Sequence, residues 1–230
     1  MPKLDKPKSD TPMKDAAALV AAPGITNQGI TNKADERLFI PRAETESLEQ
    51  DILRRRHIER YAVARQFVHG VTVDSACGCG YGTHILAKNP DVTRAYGIDM
   101  SAEAVDFATR EYGGDRVKFI HGEIGAVKIE LADTLVSIET IEHLEAPKVL
   151  NDFVEAHAVE SLVVSFPIKK TTHYNQFHHW DFKTQDIADI FFNFSIYKEF
   201  LFQYDTCFVC LVRHNRPGRP EKRWRSPDLR

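Results

Sequence analysis

No stretch of this 230-residue chain approaches the roughly 18 consecutive apolar residues that a membrane-spanning helix needs. No apolar run follows the lysines of Met1-Pro2-Lys3-Leu4-Asp5-Lys6-Pro7 either, so the segment does not read as a secretory signal and a cytoplasmic protein is expected. Cysteine is scarce: four residues in two close pairs, Cys77/Cys79 and Cys207/Cys210. Cys-x-Cys inside a glycine loop lacks the usual zinc spacing, and no second such pair follows at finger distance. Cys207 and Cys210 fall in an apolar run that reads as a strand, where residues three apart face opposite sides. Buried free thiols are therefore the expectation. Internal repeats are absent as well, which excludes solenoids and propellers.

Charge is not scarce but is unevenly placed. The formal net charge is −3, yet residues 213–230 carry +5, so the rest of the chain stands at −8. The basic tail, with Arg216, Arg219, Lys222, Arg223 and Arg225, could touch nucleic acid. Pro217, Pro220 and Pro227 punctuate it, and a solvated terminus is the favoured reading. The acidic body does not resemble a large duplex-binding surface.

The order of apolar patterns divides the chain into three. Residues 1–35 hold four prolines and no sustained periodicity, and read as disordered apart from a short helix at Lys14–Ala22. A domain is expected over 36–212, and 213–230 form the basic flexible tail. Within the domain, a helical pattern runs from Glu44 to Val68 through Leu48, Ile52, Ile58, Tyr61, Ala62 and Phe67. Short β-rich runs then alternate with helical ones. The strands are Val71–Asp74, Arg94–Ile98, Val117–Ile120, Thr134–Ile138 and Ser161–Phe166; the helices are Thr83–Lys88, Ala102–Tyr112 (capped by Ser101) and Ala146–Ala158. A helix at Thr184–Phe192 precedes two strands, Ile196–Gln203 and Cys207–Val212, joined by a short turn. This order predicts a single α/β domain: a Rossmann-like, doubly wound, seven-stranded sheet closing with a C-terminal β-hairpin.

The segment between the first strand and its helix, Asp74-Ser75-Ala76-Cys77-Gly78-Cys79-Gly80-Tyr81-Gly82, is rich in small residues. Small residues there let backbone approach a ligand at the carboxyl end of the first strand, where open α/β sheets bind nucleotides. Asp99 ends the second strand 21 residues past Gly78, where a carboxylate can accept both ribose hydroxyls. A dinucleotide fingerprint would place glycine at 83, but Thr83 stands there and Gly82 falls one position early. Asp74 is also a poor neighbour for a pyrophosphate and suits a cationic ligand, so a nicotinamide cofactor ranks last among the readings.

Asp74 to Gly82 resembles the first motif of class I S-adenosylmethionine (SAM)-dependent methyltransferases, with Ala76 where the motif usually has its first glycine. Gly97-Ile98-Asp99-Met100-Ser101 is similar to their ribose-binding second motif, and His121-Gly122-Glu123-Ile124 to the segment that meets adenine. Asp133 to Leu144 resembles the fourth-strand motif of the type 11/12 subgroup. Glu36-Arg37-x-x-Ile40-Pro41 and His57-Ile58-Glu59-Arg60-Tyr61-Ala62 resemble the lead-in of bacterial glycan-associated methyltransferases. The resemblance implies SAM as cofactor. It implies Asp74, Ala76, Cys77, Gly78, Gly80, Asp99, Met100, Glu123, Ile124, Glu139 and Tyr61 as its binding residues. It departs from the pattern at Ile168, which follows Pro167 where relatives carry Asn.

Methyl transfer asks mainly for alignment of nucleophile, methyl carbon and sulfur, with a general base where the acceptor is a hydroxyl. Two segments offer such groups. Glu139, Glu142 and His143 follow the fourth strand and would share a face if the turn is helical. His173 to Phe182, dense in polar and aromatic residues after the fifth strand, reads as a substrate-facing loop. His143 and Glu142 are the expected catalytic pair, without metal. A Glu139, Glu142, His143, His178 (or His179) set resembles that of metal-using small-RNA 2′-O-methyltransferases, and stands as the alternative. The expected reaction is methylation of O or N on a small-molecule or sugar acceptor. RNA 2′-O-methylation and a non-catalytic SAM-fold binding module remain the other readings.

Overall fold

The computed structural model describes residues 48–214, with side chains from Asp51 onward. The segment 1–35, its helix at Lys14–Ala22, the start of the domain and the tail beyond His214 lie outside the described residues. The strands are β1 (Gly70–Ser75), β2 (Val92–Asp99), β3 (Val117–His121), β4 (Thr134–Ile138), β5 (Ser161–Pro167), β6 (Phe194–Phe202) and β7 (Thr206–Arg213). The helices are α1 (Leu48–Ala64), α2 (Tyr81–Leu86), α3 (Ala102–Tyr112), α4 (Lys148–Ala156) and α5 (Thr184–Ile190).

One seven-stranded sheet runs in the order β3-β2-β1-β4-β5-β7-β6. The first five strands are parallel; β7 pairs antiparallel with both β5 and β6. The chain steps outward from β1 to β3, then crosses to β4 on the other side. That reversal lies between β1 and β4 and opens a crevice at their carboxyl ends, the place where such sheets bind ligands.

Alternation along the strands sends side chains to two cores. On one face Val73, Ile98, Leu135, Leu162, Val164, Val209 and Leu211 pack with Leu150, Phe153 and Val154 of α4 and Ile187 of α5. On the other, Val136, Ile138, Val163, Phe208 and Cys210 meet Tyr61 and Ala64 of α1 and Leu86 of α2. Cys207 belongs to the first core and Cys210 to the second, as their spacing requires. All four cysteines are buried free thiols.

Element boundaries depart from expectation where side chains intervene. The helix expected over Glu44–Val68 is α-helical over Leu48–Ala64, then tightens into a 3₁₀ turn at Arg65–Phe67. It stops because Val68 is extended and the Asn89 amide donates to the carbonyls of Arg65 (2.6 Å) and Val68 (2.9 Å). Helix α2 begins at Tyr81 rather than Thr83, because Gly80 at φ +84° turns the chain directly into it. Helix α4 is shorter than Ala146–Ala158: Ala158 sits at φ +51° and its N–H returns to Glu155 O, closing the last turn. Helix α3 spans the expected residues, with Ser101 Oγ accepting from Ala104 N at 3.3 Å.

Candidate active site

The β1–α2 loop is shaped by three left-handed residues, Ala76 (φ 56°), Gly78 (φ 54°) and Gly80 (φ 84°). The two glycines answer different needs. A Cβ on Gly80 would lie 2.5 Å from the Ala108 Cβ and 2.7 Å from Phe119 Cζ, so the loop packs there against α3 and β3. A Cβ on Gly78 would meet nothing within 4 Å, so that backbone faces open space at the crevice. Cys77 N donates to Ile98 O at 2.9 Å, and its buried thiol lies under Gly97. Burial, with the neighbouring carboxylates, pushes that thiol well above its ordinary range, so it is chemically quiet.

Asp99 ties this loop to the end of β2. Its Oδ2 accepts from Gly78 N at 2.9 Å and its Oδ1 from Ser101 N at 2.8 Å. Sequence reasoning gave the local turn role to Ser101 and freed Asp99 for a ligand. In the structure Ser101 caps α3 while Asp99 also closes the turn. Beside it Met100 is 67% exposed, Gly122 N donates to Asp99 O at 2.9 Å, Glu123 is exposed and Ile124 is buried.

Asp74 is fully buried. Its Oδ1 accepts from Tyr61 Oη (3.1 Å) and its Oδ2 from Thr83 Oγ1 (2.7 Å). Burial raises its pKa to about 7, against the pull of those two hydrogen bonds. The Tyr61 ring covers Gly82, where a Cβ would come within 2.2 Å of Tyr61 Cζ, and stands edge-on to Tyr81 at 5.7 Å. Tyr81 Oη in turn meets His57 Nδ1 at 3.2 Å. Helix α1 thus closes over the glycine loop through aromatic side chains.

Glu139 does not share a face with Glu142 and His143. It has φ +47°, which breaks any helical continuation, and only Ile141–His143 form a 3₁₀ turn. Its Oε1 accepts from Ser165 Oγ (2.9 Å) and its Oε2 faces Arg60 Nη2 (3.5 Å). Burial raises its pKa, and Arg60 opposes that rise. Arg60 is itself buried and donates to Thr206 Oγ1 at 3.2 Å.

Glu142, His143 and His178 do come together: one ligand-type atom from each lies within 4.8 Å of the others. Glu142 is 1% exposed. His143 Nδ1 lies 3.2 Å from Phe177 O, so it carries the hydrogen and the neutral ring has its lone pair on Nε2. His178 stands edge-on to His143 at 4.5 Å, with its Nδ1 2.5 Å from Thr171 Oγ1. Burial, then the nearby His143, lowers the His178 pKa to about 4. The loop carrying His178 folds back onto the Ile141–His143 turn. Besides the His143–Phe177 bond, His179 N donates to Glu142 O (2.8 Å) and Trp180 Nε1 to Leu144 O (2.8 Å). Of the two histidines weighed for this position, His178 is the one in the group. Sequence reasoning missed Arg60, Ser165, Thr171 and the Phe177 carbonyl. Arg60, beside Tyr61, and Phe177, beside His178, stood in segments already singled out; Ser165 and Thr171 carried no such signal.

Residues 73–159 match a family model described as methyltransferase domain. No curated protein matches the chain. Among solved structures, a magnesium protoporphyrin IX methyltransferase from Synechocystis, crystallised with SAM, is 20% identical with a TM-score of 0.59, covering 74% of this chain and 86% of its own. The N-methyltransferase NodS from Bradyrhizobium japonicum, with bound S-adenosyl-L-homocysteine, is 16% identical with a TM-score of 0.58, covering 79% and 97%. A putative type 11 methyltransferase from Sulfolobus solfataricus is 18% identical with a TM-score of 0.56, covering 72% and 96%.

Proposed function

We propose that the chain is a class I SAM-dependent methyltransferase, in keeping with the methyltransferase-domain match over residues 73–159, and that it methylates an oxygen or nitrogen of a small-molecule or sugar acceptor. SAM supplies a methyl group on a sulfonium, an electrophile that needs no further activation. The observation that carries the reading is that a glycine loop latched by Asp99 follows β1 while a separate Glu142–His143–His178 group is assembled on the turn after β4, the adjacent parallel strand.

The residues fit the cofactor. Gly78 offers open backbone, and Ala76, Cys77 and Gly80 hold the loop that presents it. Asp99, at the end of β2 beside the open Gly78 backbone, takes the ribose hydroxyls. Met100, Glu123 and Ile124 flank the place for adenine, with Glu123 exposed and able to turn toward an amine. Tyr61, Asp74 and Glu139 line the methionine end. Asp74 acts there as a field rather than a direct ligand, because Tyr61 and Thr83 occupy its oxygens; a cation nearby favours its ionised form. On the acceptor side, His143 carries a fixed tautomer whose Nε2 can take a proton, with Glu142 against it to stabilise the imidazolium.

A small acceptor is favoured because the 168–183 loop is tied down on the Ile141–His143 turn rather than spread as a basic platform. NodS is named as an N-methyltransferase, and the Synechocystis enzyme is named for magnesium protoporphyrin IX as its acceptor. The RNA reading loses its fourth group, since Glu139 is engaged by Ser165 and Arg60. Isotope transfer from labelled SAM to a panel of sugars, phenols and amines tests the proposal. Label should appear on one of these, and exclusive labelling of RNA would overturn it.

A further inference from the structure

We infer that Gln203 and Asp205, on the turn between β6 and β7, are positioning residues for the cofactor and act through helix α1. The inference rests on the cofactor reading above and names what holds one wall of that site in place.

Helix α1 meets its surroundings through two adjacent rows of side chains, each spaced by one helical turn: His57 with Tyr61, and Arg56 with Arg60. The first row lies on the glycine loop. His57 Nδ1 is 3.2 Å from Tyr81 Oη, and Tyr61 Oη donates to Asp74 at 3.1 Å. The second row is held by the β6–β7 turn and the residue after it. Arg56 pairs with Asp205, and its Nε donates to Gln203 Oε1 at 3.3 Å. The Gln203 amide returns bonds to Arg56 O (3.1 Å) and Glu59 Oε2 (2.8 Å). One turn on, Arg60 donates to Thr206 Oγ1 at 3.2 Å and faces Glu139 at 3.5 Å. The two rows share one helix, so whatever fixes Arg56 and Arg60 also fixes Tyr61 over Gly82.

The turn is placed and shaped for this contact. Thr206 pairs with Pro167, the last residue of β5, which puts the turn at the carboxyl end of the parallel strands, the end that carries the crevice. Gln203 (φ 54°) and Tyr204 (φ 67°) are both left-handed, where a hairpin alone would favour glycine or asparagine. Tyr204 is 91% exposed, so burial of its ring does not offset that strain. What the conformation achieves is to bring the Gln203 amide and the Asp205 carboxylate together onto Arg56. Arg56 and Asp205 are only half-buried, and such a pair adds little to global stability, which fits alignment of α1 rather than support of the fold.

Calorimetric titration with S-adenosylhomocysteine tests the inference without knowledge of the acceptor. Gln203→Ala and Asp205→Asn should each weaken binding by about 5-fold or more, the scale on which coupled sites act on one another, while the melting temperature stays near that of wild type. Asp205→Glu, which keeps the charge, should recover most of the loss. Tyr204→Asn, suited to a left-handed backbone, should bind as wild type does. Gln203→Ala combined with Tyr61→Phe should weaken binding by less than the product of the two single effects, because both act on the same wall; a fold merely loosened would not produce that coupling. Should Asp205→Asn fail to fold, Gln203→Ala carries the test. Wild-type affinity in the turn variants, or single effects that multiply in full, overturns the inference and leaves the cofactor reading standing. No binding by folded wild-type protein undermines the methyltransferase reading itself, and this inference with it.

Discussion

The two sides of the crevice are built in opposite ways. On the cofactor side, the glycine loop is fixed by strand ends that are neighbours in the sheet: Cys77 bonds Ile98, and Asp99 bonds Gly78 and Ser101. On the acceptor side, the Ile141–His143 turn is fixed by the long 168–183 loop, through single bonds from His143, His179 and Trp180. The first side inherits its geometry from β register. The second depends on a loop whose residues are mostly exposed, the kind of segment in which specificity is expected to reside.

The contrast makes separable predictions. The largest effect should come from His143→Ala: turnover falling on the order of 10²–10⁴-fold, the usual worth of positioned proton transfer, with SAM affinity unchanged. A parallel loss of SAM binding would mean that the two sides are not independent. Asp99→Ala should weaken S-adenosylhomocysteine binding by about 1.5–3 kcal/mol in calorimetry, the scale of hydrogen bonds to a charged group. Equal affinity would remove Asp99 from the ribose site. Trp180→Phe deletes one bond to Leu144 O and should raise the acceptor KM several-fold, in line with about 0.5–1.5 kcal/mol, while cofactor affinity holds.

A fourth effect is read in stability rather than in turnover or binding, as a slope. Asp74 has a folded pKa of about 7 against an ordinary 3.8, so the folded state holds its proton more tightly. The stability this confers is full below pH 4 and is lost as pH rises through 7. Thermal melts of the ligand-free wild type should therefore decline across that window relative to Asp74→Asn. Parallel profiles would show that Asp74 titrates normally.

What could be read from the sequence follows the same division. Helix α3 was legible because its cap and first turn are local: Ser101 and Glu103 stand beside the residues they serve. The seven strands and the place of the glycine loop were legible because period-two alternation and element order leave few topologies. Glu139 was misplaced because spacing assumed a helical turn, whereas its left-handed backbone sends the side chain to Ser165 and Arg60. The choice of His178 over His179 depends on how the loop folds across a separation of 35 residues, which periodicity does not encode. Arg60 stayed hidden because its partners, Glu139 just past β4 and Thr206 at the start of β7, lie far along the chain.

The position of β7 bears on the order in which the molecule can assemble. It is the last strand described, yet it lies inside the sheet, with Ser161 of β5 paired to Val212 and Phe194 of β6 paired to Arg213. Phe208 and Cys210 complete one core while Val209 and Leu211 complete the other. During synthesis, β5 and β6 therefore leave the ribosome with facing edges and nothing between them. Until residue 213 follows, the growing chain carries two unpaired strand edges and two open cores, a species that invites pairing with other chains. The delay before β7 becomes available, and chaperone capture of the chain during it, should then weigh on the yield of folded protein.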